Sequence, residues 1–161
     1  MLLTGSMLTA RDASHKLMVE ALAYKAGLPF EMEGQTIYYT GPTPARPGNI
    51  VGSAGPTTSS RMDKYTPILL DQGLKCMIGK GRRSADVRNQ MMKRRAVYLA
   101  AIGGTGALLS RTIKKIEPVA YQELGAEAVF RLEVEDFPAV VINDIYGEDL
   151  YEKGKSAYRK R

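Results

Sequence analysis

The sequence predicts an α/β domain whose C-terminal part is rich in strands. In the first part of the chain, short apolar runs alternate with segments in which apolar residues recur at helical spacing. The last third instead holds three successive strand candidates. The length of 161 residues, with 44% hydrophobic and 25% charged residues, suits one domain that buries a core, and we expect residues 1–161 to form that single domain.

Apolar and β-branched runs bounded by turn residues predict the strands. The predicted strands are residues 2–10, 36–41, 75–79, 96–104, 113–121, 128–137 and 138–146. The first helix follows the first strand and ends by Ala26, because Gly27 and Pro29 stop it. The other predicted helices are residues 57–72, 85–95 and 107–110. Residues 41–56 contain four prolines and four glycines, so we expect a loop there, and loops of this length in compact domains are usually functional.

Composition limits the compartment and the chemistry. No apolar run is long enough to cross a membrane, and the first residues lack the basic start of a signal peptide, so we expect a soluble protein. Cys76 is the only cysteine and His15 the only histidine, which fits a reducing cytoplasm and excludes a disulfide framework. These two residues alone cannot ligate an iron–sulfur cluster or a structural zinc, so any metal must come with a partner. For Cys76, a buried apolar role and a reactive thiol are the two interpretations.

The formal charge of +6 is compatible with nucleic acid, an acidic protein surface or an anionic small substrate. Two basic groups contribute to it. The first surrounds Gln90 on the predicted helix 85–95 and consists of Arg82, Arg83, Arg88, Lys93, Arg94 and Arg95. The second is the tail, with Lys153, Lys155, Arg159, Lys160 and Arg161. An exposed helix face and a solvated chain end explain them most simply, and a binding patch is the alternative.

The stretch GPTTSSRMDKY, residues 55–65, combines a Gly-Pro turn, hydroxyl residues and an arginine. Thr57 is a candidate N-cap, and the free amides at a helix start attract anions. Arg61 follows one helical turn later on the same face. The hydroxyls, amides and guanidinium together predict a carboxylate site. An ordinary N-cap followed by a surface arginine explains the same residues equally well.

Two glycine-rich stretches lack the residue spacing of known nucleotide-binding motifs. GLKCMIGK, residues 73–80, has one residue too many for a phosphate-binding loop, and Gly81 stands where a serine or threonine is required. GGTGALL, residues 103–109, lacks the third glycine of a dinucleotide fingerprint. Lys80 lies between two glycines at the end of a parallel-type strand, where ligands of α/β sheets collect, although an exposed loop lysine is the alternative.

Six segments in order resemble the β part of class I iron–sulfur fumarate hydratases, a family that includes L-tartrate dehydratases. They are TARDASHK (9–16), IYYTGP (37–42), GPTTSSRMD (55–63), GKG (79–81), YLAAIGG (98–104) and AYQELGAEAVFRLEVEDFPA (120–139). The resemblance covers nearly the whole chain. It implies a swivelling β/β/α domain with a mixed sheet, and at this length the chain resembles a separate β subunit.

The resemblance also implies a reaction, the reversible hydration of fumarate to (S)-malate. The α subunit would ligate a 4Fe–4S cluster, and this chain would supply the other wall of the site. By motif, Arg11, Arg61 and Lys80 would bind the dicarboxylate, Thr58 would donate a hydrogen bond to it, and Thr57 would be the base that moves the C3 proton. Three cations suit a dianion, and a threonine base requires a strongly positive site or an acidic neighbour from the α subunit.

Asp12 and His15 of the same first segment are one helical turn apart and are possible supporting residues. An Asp N-cap with a packed or exposed histidine is the alternative. The expected partners are the α subunit and a small dicarboxylate, in an α2β2 assembly or a β dimer, with no nucleic acid and no membrane. The alternatives are a β subunit for L-tartrate or another C4 dicarboxylate, and a basic nucleic-acid-binding module.

Overall fold

The computed structural model of the protein describes residues 1–159 and contains one mixed sheet of seven strands. The strands are β1 (Leu2–Thr9), β2 (Thr36–Tyr38), β3 (Cys76–Gly79), β4 (Val97–Ala100), β5 (Ile113–Ala120), β6 (Val129–Pro138) and β7 (Val140–Asn143). Their order in the sheet is β5-β6-β1-β2-β3-β4-β7. The central strands β1 to β4 are parallel, whereas β5, β6 and β7 add antiparallel pairs at the two sides. The predicted α/β class and mixed sheet are therefore confirmed.

Helices and short 3-10 turns connect the strands. The α-helices are α1 (Asp12–Ala23), α2 (Thr66–Asp71), α3 (Ala85–Arg94), α4 (Gly106–Leu109) and α5 (Leu150–Tyr158). The 3-10 turns are Ser59–Met62, Ser110–Thr112 and Gln122–Glu127. None of the helices within residues 1–159 combines the length and apolar character needed to span a bilayer.

Side chains that alternate along the parallel strands build a core on each face of the sheet. In β3, Met77 packs into one apolar cluster and Ile78 into the other. In β4, Tyr98 and Leu99 divide in the same way. This alternation follows from the strand repeat of two residues, and it makes the strands read as continuous apolar runs because both faces are covered.

The loop at residues 41–56 is held at its far end by the end of β2. The Tyr38 hydroxyl donates to the Ala54 carbonyl at 2.5 Å, and Thr40 Oγ1 donates to the Gly55 carbonyl at 2.8 Å. A side chain at Gly106 would overlap Gly55, with its Cβ 2.9 Å from the Gly55 nitrogen. The loop therefore returns to the carboxyl edge of the sheet at a fixed place, directly before Thr57.

Two predicted elements differ from the structure. The helix expected at residues 57–72 is divided into the 3-10 turn Ser59–Met62 and the helix α2, because Thr58 is paired with Lys80 in an isolated parallel bridge. The tail expected as a solvated end forms α5, whose N-cap Asp149 accepts a hydrogen bond from the Tyr151 nitrogen at 2.9 Å. Its basic residues Lys153, Lys155 and Arg159 are exposed as expected, and Lys160 and Arg161 lie outside the described residues.

Leu132 tests the contribution of the core on the β6 side of the sheet. It is fully buried, so Leu132→Ala should lower the free energy of unfolding by about 2–5 kcal/mol through lost burial and a residual cavity. Leu108→Ala is the control, because the Leu108 side chain is 60% exposed. It should alter the free energy of unfolding by about 0.5 kcal/mol or less. Urea titration of both variants measures the difference, and equal losses would contradict the proposed core.

Candidate functional site

The residues predicted to bind an anion lie at one edge of the sheet. Arg11 follows β1, and Lys80 directly follows β3. The segment that contains Thr57, Thr58 and Arg61 lies between the ends of β2 and β3. Because the carboxyl ends of parallel strands share an edge, the topology brings these segments together where ligands of α/β sheets bind.

Backbone hydrogen bonds fix Thr57 between two strand ends. The Thr57 nitrogen donates to the Tyr39 carbonyl at 2.6 Å, and the Lys80 nitrogen donates to the Thr57 carbonyl at 3.1 Å. The Ser59 nitrogen then donates to the Lys80 carbonyl at 2.8 Å. Thr57 therefore extends the parallel sheet and is not the N-cap that its sequence position suggested. Thr58 occupies the cap position of the 3-10 turn, is exposed, and makes no side-chain capping hydrogen bond.

Glycine at position 79 permits this pairing. A Cβ at Gly79 would overlap Ser59 Oγ, and it would lie 2.9 Å from Tyr39 Cδ2 and 3.2 Å from the Thr57 carbonyl oxygen. Those contacts are too short for any other residue unless Ser59 and Tyr39 move. The glycines of the GKG segment are thus explained by close packing at Gly79 and by a positive φ of 81° at Gly81.

Arg61 and Asp12 form an ion pair between the 3-10 turn and α1. Arg61 Nε donates to Asp12 Oδ1 at 2.9 Å, and Arg61 Nη2 lies 2.8 Å from Asp12 Oδ2. Half of the Arg61 side chain remains exposed. Asp12 is the first residue of α1, and Arg11 occupies the N-cap position that the sequence suggested for Asp12. The pair therefore holds the Arg61 guanidinium beside the segment that contains Arg11.

Arg11 is three-quarters buried and is held at several points. Its Nη2 lies 3.3 Å from Glu127 Oε1, and its side chain fills the space that Gly41 leaves, where a Cβ would be 2.8 Å from Nη1. Its backbone nitrogen donates to Ser14 Oγ at 2.9 Å. Arg11 Nε is buried without a hydrogen-bond partner among residues 1–159. The guanidinium thus keeps an unused donor.

His15 is fully buried beneath Arg11. Its Nδ1 lies 2.7 Å from the Arg11 carbonyl oxygen, which only accepts, so Nδ1 carries the proton. The ring packs edge-on against Tyr39 with centroids 5.3 Å apart. Burial lowers the pKa of His15 to about 4, while the hydrogen bond to the Arg11 carbonyl opposes this shift. The neutral ring is therefore anchored to the Arg11 backbone, and His15 is a packed, buried histidine.

Lys80 is exposed, and its stem passes over Gly103, where a Cβ would lie 3.6 Å from Lys80 Cδ. The whole edge that contains Thr58, Arg61 and Lys80 is open. A cavity of about 680 Å³ lies elsewhere, beside the loop at 41–56, and its lining includes Arg46 and Arg111. The predicted residues thus share an exposed edge and do not line that cavity.

Arg83 and its partners are the part of this region that the sequence analysis missed. Arg83 was grouped with an exposed basic helix face, which is wrong, since its side chain is 0% exposed and lies 2.7 Å from Asp63. The basic group is largely paired with carboxylates: Arg82 with Glu152, Arg83 with Asp63, Arg88 with Asp149 and Arg94 with Asp71. These pairs neutralise most of that face and disfavour the nucleic-acid alternative.

The chain's own residues do not fit an iron–sulfur cluster, which takes several cysteine thiolates. Cys76 is partly buried in β3, and burial raises the pKa of its thiol to about 11, while a hydrogen bond with Thr36 lowers it. Within residues 1–159 no group of three or more His, Cys, Asp or Glu side chains is placed to hold a metal ion.

Known proteins resemble this chain over nearly its full length. The family model described as "Fumarase C-terminus" matches residues 1–154. "Fumarate hydratase class I, aerobic" from Salmonella typhimurium is 40% identical over 157 residues, which are 96% of this chain and 27% of that protein. "Fumarate hydratase 2" from Leishmania major is 40% identical over 154 residues, 94% of this chain and 27% of that protein. The chain thus spans about a quarter of these relatives.

This chain spans most of the length of a further relative. "Putative L(+)-tartrate dehydratase subunit beta" from Methanocaldococcus jannaschii is 36% identical over 165 residues, which are 98% of this chain and 85% of that protein.

The single histidine gives a clean titration test. Because the folded pKa of His15, about 4, lies below its ordinary value of 6.5, the unfolded chain takes up a proton first as the pH falls. Stability should therefore be lost from about pH 6.5 down through pH 4, by roughly 2 kcal/mol between pH 7 and pH 4.5. The His15→Gln variant should not show this loss of stability between pH 7 and pH 4.5. Urea unfolding of both proteins at the two pH values measures it, and parallel pH profiles would contradict a buried neutral ring.

Gly79 tests the close packing of Ser59 on β3. Gly79→Ala should lower the free energy of unfolding by about 1–3 kcal/mol, because the methyl group displaces the Ser59 turn. Gly154→Ala is the matched control in α5, where a Cβ meets nothing within 4 Å, and it should raise stability by about 0.5–1 kcal/mol. Denaturant titration compares them. A neutral Gly79→Ala variant would show that Ser59 is not held against the strand.

Proposed function

The chain belongs to the fumarase C-terminus family, and we propose that it forms the carboxylate-binding wall of a hydro-lyase active site. The proposed reaction is the reversible hydration of fumarate to (S)-malate. The observation that carries the proposal is the pairing of Thr57 with Tyr39 and Lys80, which joins the segments of Arg61 and Lys80 at the edge of the sheet where Arg11 follows β1.

The cations at this edge suit a substrate with two carboxylates. Arg11 and Arg61 each face a carboxylate of the chain, Glu127 and Asp12, which orient them and reduce the local positive charge. In the proposed mechanism Arg11, Arg61 and Lys80 bind the dicarboxylate. When the C3 proton leaves malate, negative charge grows on the neighbouring carboxylate, so cations held there stabilise the transition state more than the ground state.

The two threonines at the tip of the edge receive the remaining roles. Thr58 donates a hydrogen bond to the dicarboxylate, and Thr57 accepts the C3 proton of malate or returns it during hydration. The backbone of Thr57 is fixed on both sides, which suits a group that must stay within reach of one carbon atom. Its hydroxyl requires positive charge close by to act as a base, and Lys80, whose backbone nitrogen donates to the Thr57 carbonyl, is the proposed source of that charge.

A partner completes the site in this proposal. The open edge offers one wall, and the chain's residues do not fit a cluster, so an α subunit supplies the 4Fe–4S cluster and the opposite wall. A separate subunit has a counterpart among the relatives, since one of them is named as a tartrate dehydratase β subunit, whereas the chain spans about a quarter of the fumarate hydratases. The same observation favours a second candidate function, dehydration of L-tartrate to oxaloacetate.

The test is anaerobic co-expression with a cysteine-bearing α subunit of the family, followed by assays with fumarate and with L-tartrate. Arg61→Ala and Lys80→Ala should each reduce kcat/KM by about 10²-fold or more, because each removes a charged partner of the substrate. Lys93→Ala, at an exposed lysine on α3, is the control and should leave the rate unchanged.

The outcomes separate the candidates. Turnover of fumarate by the complex supports the first function, and turnover of L-tartrate alone supports the second. Robust turnover by this chain without an α subunit, or full activity in both Arg61→Ala and Lys80→Ala, would contradict the proposed site.

A further inference from the structure

Arg83 is a charged side chain with no exposed surface, and its polar groups are engaged by different parts of the fold. Nε donates to Asp63 Oδ1 at 2.7 Å, Nη2 donates to Thr66 Oγ1 at 2.7 Å, and Nη1 donates to the Tyr39 hydroxyl at 3.1 Å. The guanidinium also lies against the rings of Tyr39 and Tyr98, 5.3 and 5.2 Å from their centroids. Only the planar fork of an arginine reaches partners in these separate directions.

The ion pair of Asp63 and Arg83 joins the two segments that carry the proposed substrate cations Arg61 and Lys80. Asp63 lies two residues after Arg61, and Arg83 lies three residues after Lys80. The second oxygen of Asp63 accepts a hydrogen bond from the Ser84 nitrogen at 2.7 Å. One carboxylate is therefore bound to both the side chain and the backbone of the segment after Lys80.

Thr66 extends the connection below the 3-10 turn. Its hydroxyl accepts from Arg83 and donates to the Met62 carbonyl at 2.9 Å. Met62, directly before Asp63, is therefore also held in place by Thr66. Movement of the Arg61 segment against the Lys80 segment would break several hydrogen bonds in a buried region, where each loss is costly.

The Tyr98 hydroxyl forms a second connection between the same two segments. The Tyr98 hydroxyl donates to the Gly81 carbonyl at 2.8 Å and lies 2.8 Å from Ser59 Oγ. Because the tyrosine has one proton and the carbonyl only accepts, Ser59 is the donor in the second bond. Ser59 lies two residues before Arg61, and Gly81 directly follows Lys80.

A buried ion pair of this kind is a poor source of net stability, since apolar replacements are often as stable. Its value lies in geometry. We propose that Asp63 and Arg83 are positioning residues that set the separation of Arg61 and Lys80, and thereby the length of the dicarboxylate that the site accepts. This inference rests on the proposed function.

The experiment measures kcat and KM for fumarate in the complex with the α subunit, for wild type, Asp63→Asn, Arg83→Lys and the double variant Asp63→Asn/Arg83→Gln. Each change should raise KM by about tenfold or more, because displaced cations bind the diacid less well. The double variant leaves no lone buried charge, so it tests geometry separately from an unpaired charge. Asp71→Asn is the matched control, since it removes the partner of Arg94 in an ion pair between α2 and α3, away from the cations.

A purely structural role predicts a different result. Partial unfolding lowers the concentration of active enzyme and therefore kcat, with KM unchanged, and thermal unfolding followed by circular dichroism reports the folded fraction. If the wild-type complex is active and KM is unchanged in Asp63→Asn and Arg83→Lys, the inference is overturned and the proposed function is not affected. A wild-type KM in the double variant would also overturn it. A wild-type complex that turns over neither fumarate nor L-tartrate would remove the proposed function together with the inference.

Discussion

The backbone pairing of Thr57 with Tyr39 and Lys80 is the constraint on which the site depends. It inserts a short segment between the ends of β2 and β3, so that the loop at residues 41–56 ends at a fixed position. The pairing requires close approach, which Gly79 allows, and it fixes the chain direction from Thr57 to Arg61. Every proposed substrate contact from the GPTTSSR segment inherits its position from these hydrogen bonds. The ion pair of Arg61 with Asp12 then relates that segment to α1.

At this edge, carboxylates of the chain partly neutralise the positive charges of Arg11 and Arg61. Isolated guanidinium groups held together repel one another, and the carboxylates of Asp12 and Glu127 reduce that repulsion in the free protein. The same carboxylates fix the direction of the side chains, which lowers the entropy lost when an anion binds. Below them, His15 is neutral at ordinary pH because burial lowers its pKa. A protonated ring would add another cation beneath Arg11, so the buried neutral state keeps the positive charge at the surface.

The sequence predicted β3 and β4 well because their residues pack into the core on both faces of the sheet and produce uninterrupted apolar runs. It also predicted which segments meet, since the carboxyl ends of parallel strands share an edge. The division of the helix at residues 57–72 was not predictable, because Thr58 pairs with Lys80, which is distant in sequence. The same is true of Arg83, whose basic neighbours Arg82 and Arg88 suggest an exposed helix face. Only tertiary contacts with Asp63 and Tyr39 reveal that this arginine is buried.

Recognition of carboxylates by itself does not distinguish fumarate from tartrate, since both are C4 diacids and the cations at this edge address the shared ends. Discrimination must rest on groups that contact the middle carbons, where the two substrates differ by hydroxyl groups. Under the proposed function, Thr57 is the side chain of this chain that acts at a middle carbon, and the remaining contacts to the middle carbons come from the opposite wall. A fixed cationic edge combined with a variable partner therefore suits one family that includes proteins named for either substrate. The buried ion pair of Asp63 and Arg83 is consistent with this division, because in its proposed positioning role it would keep one separation of Arg61 and Lys80 for fumarate and tartrate alike.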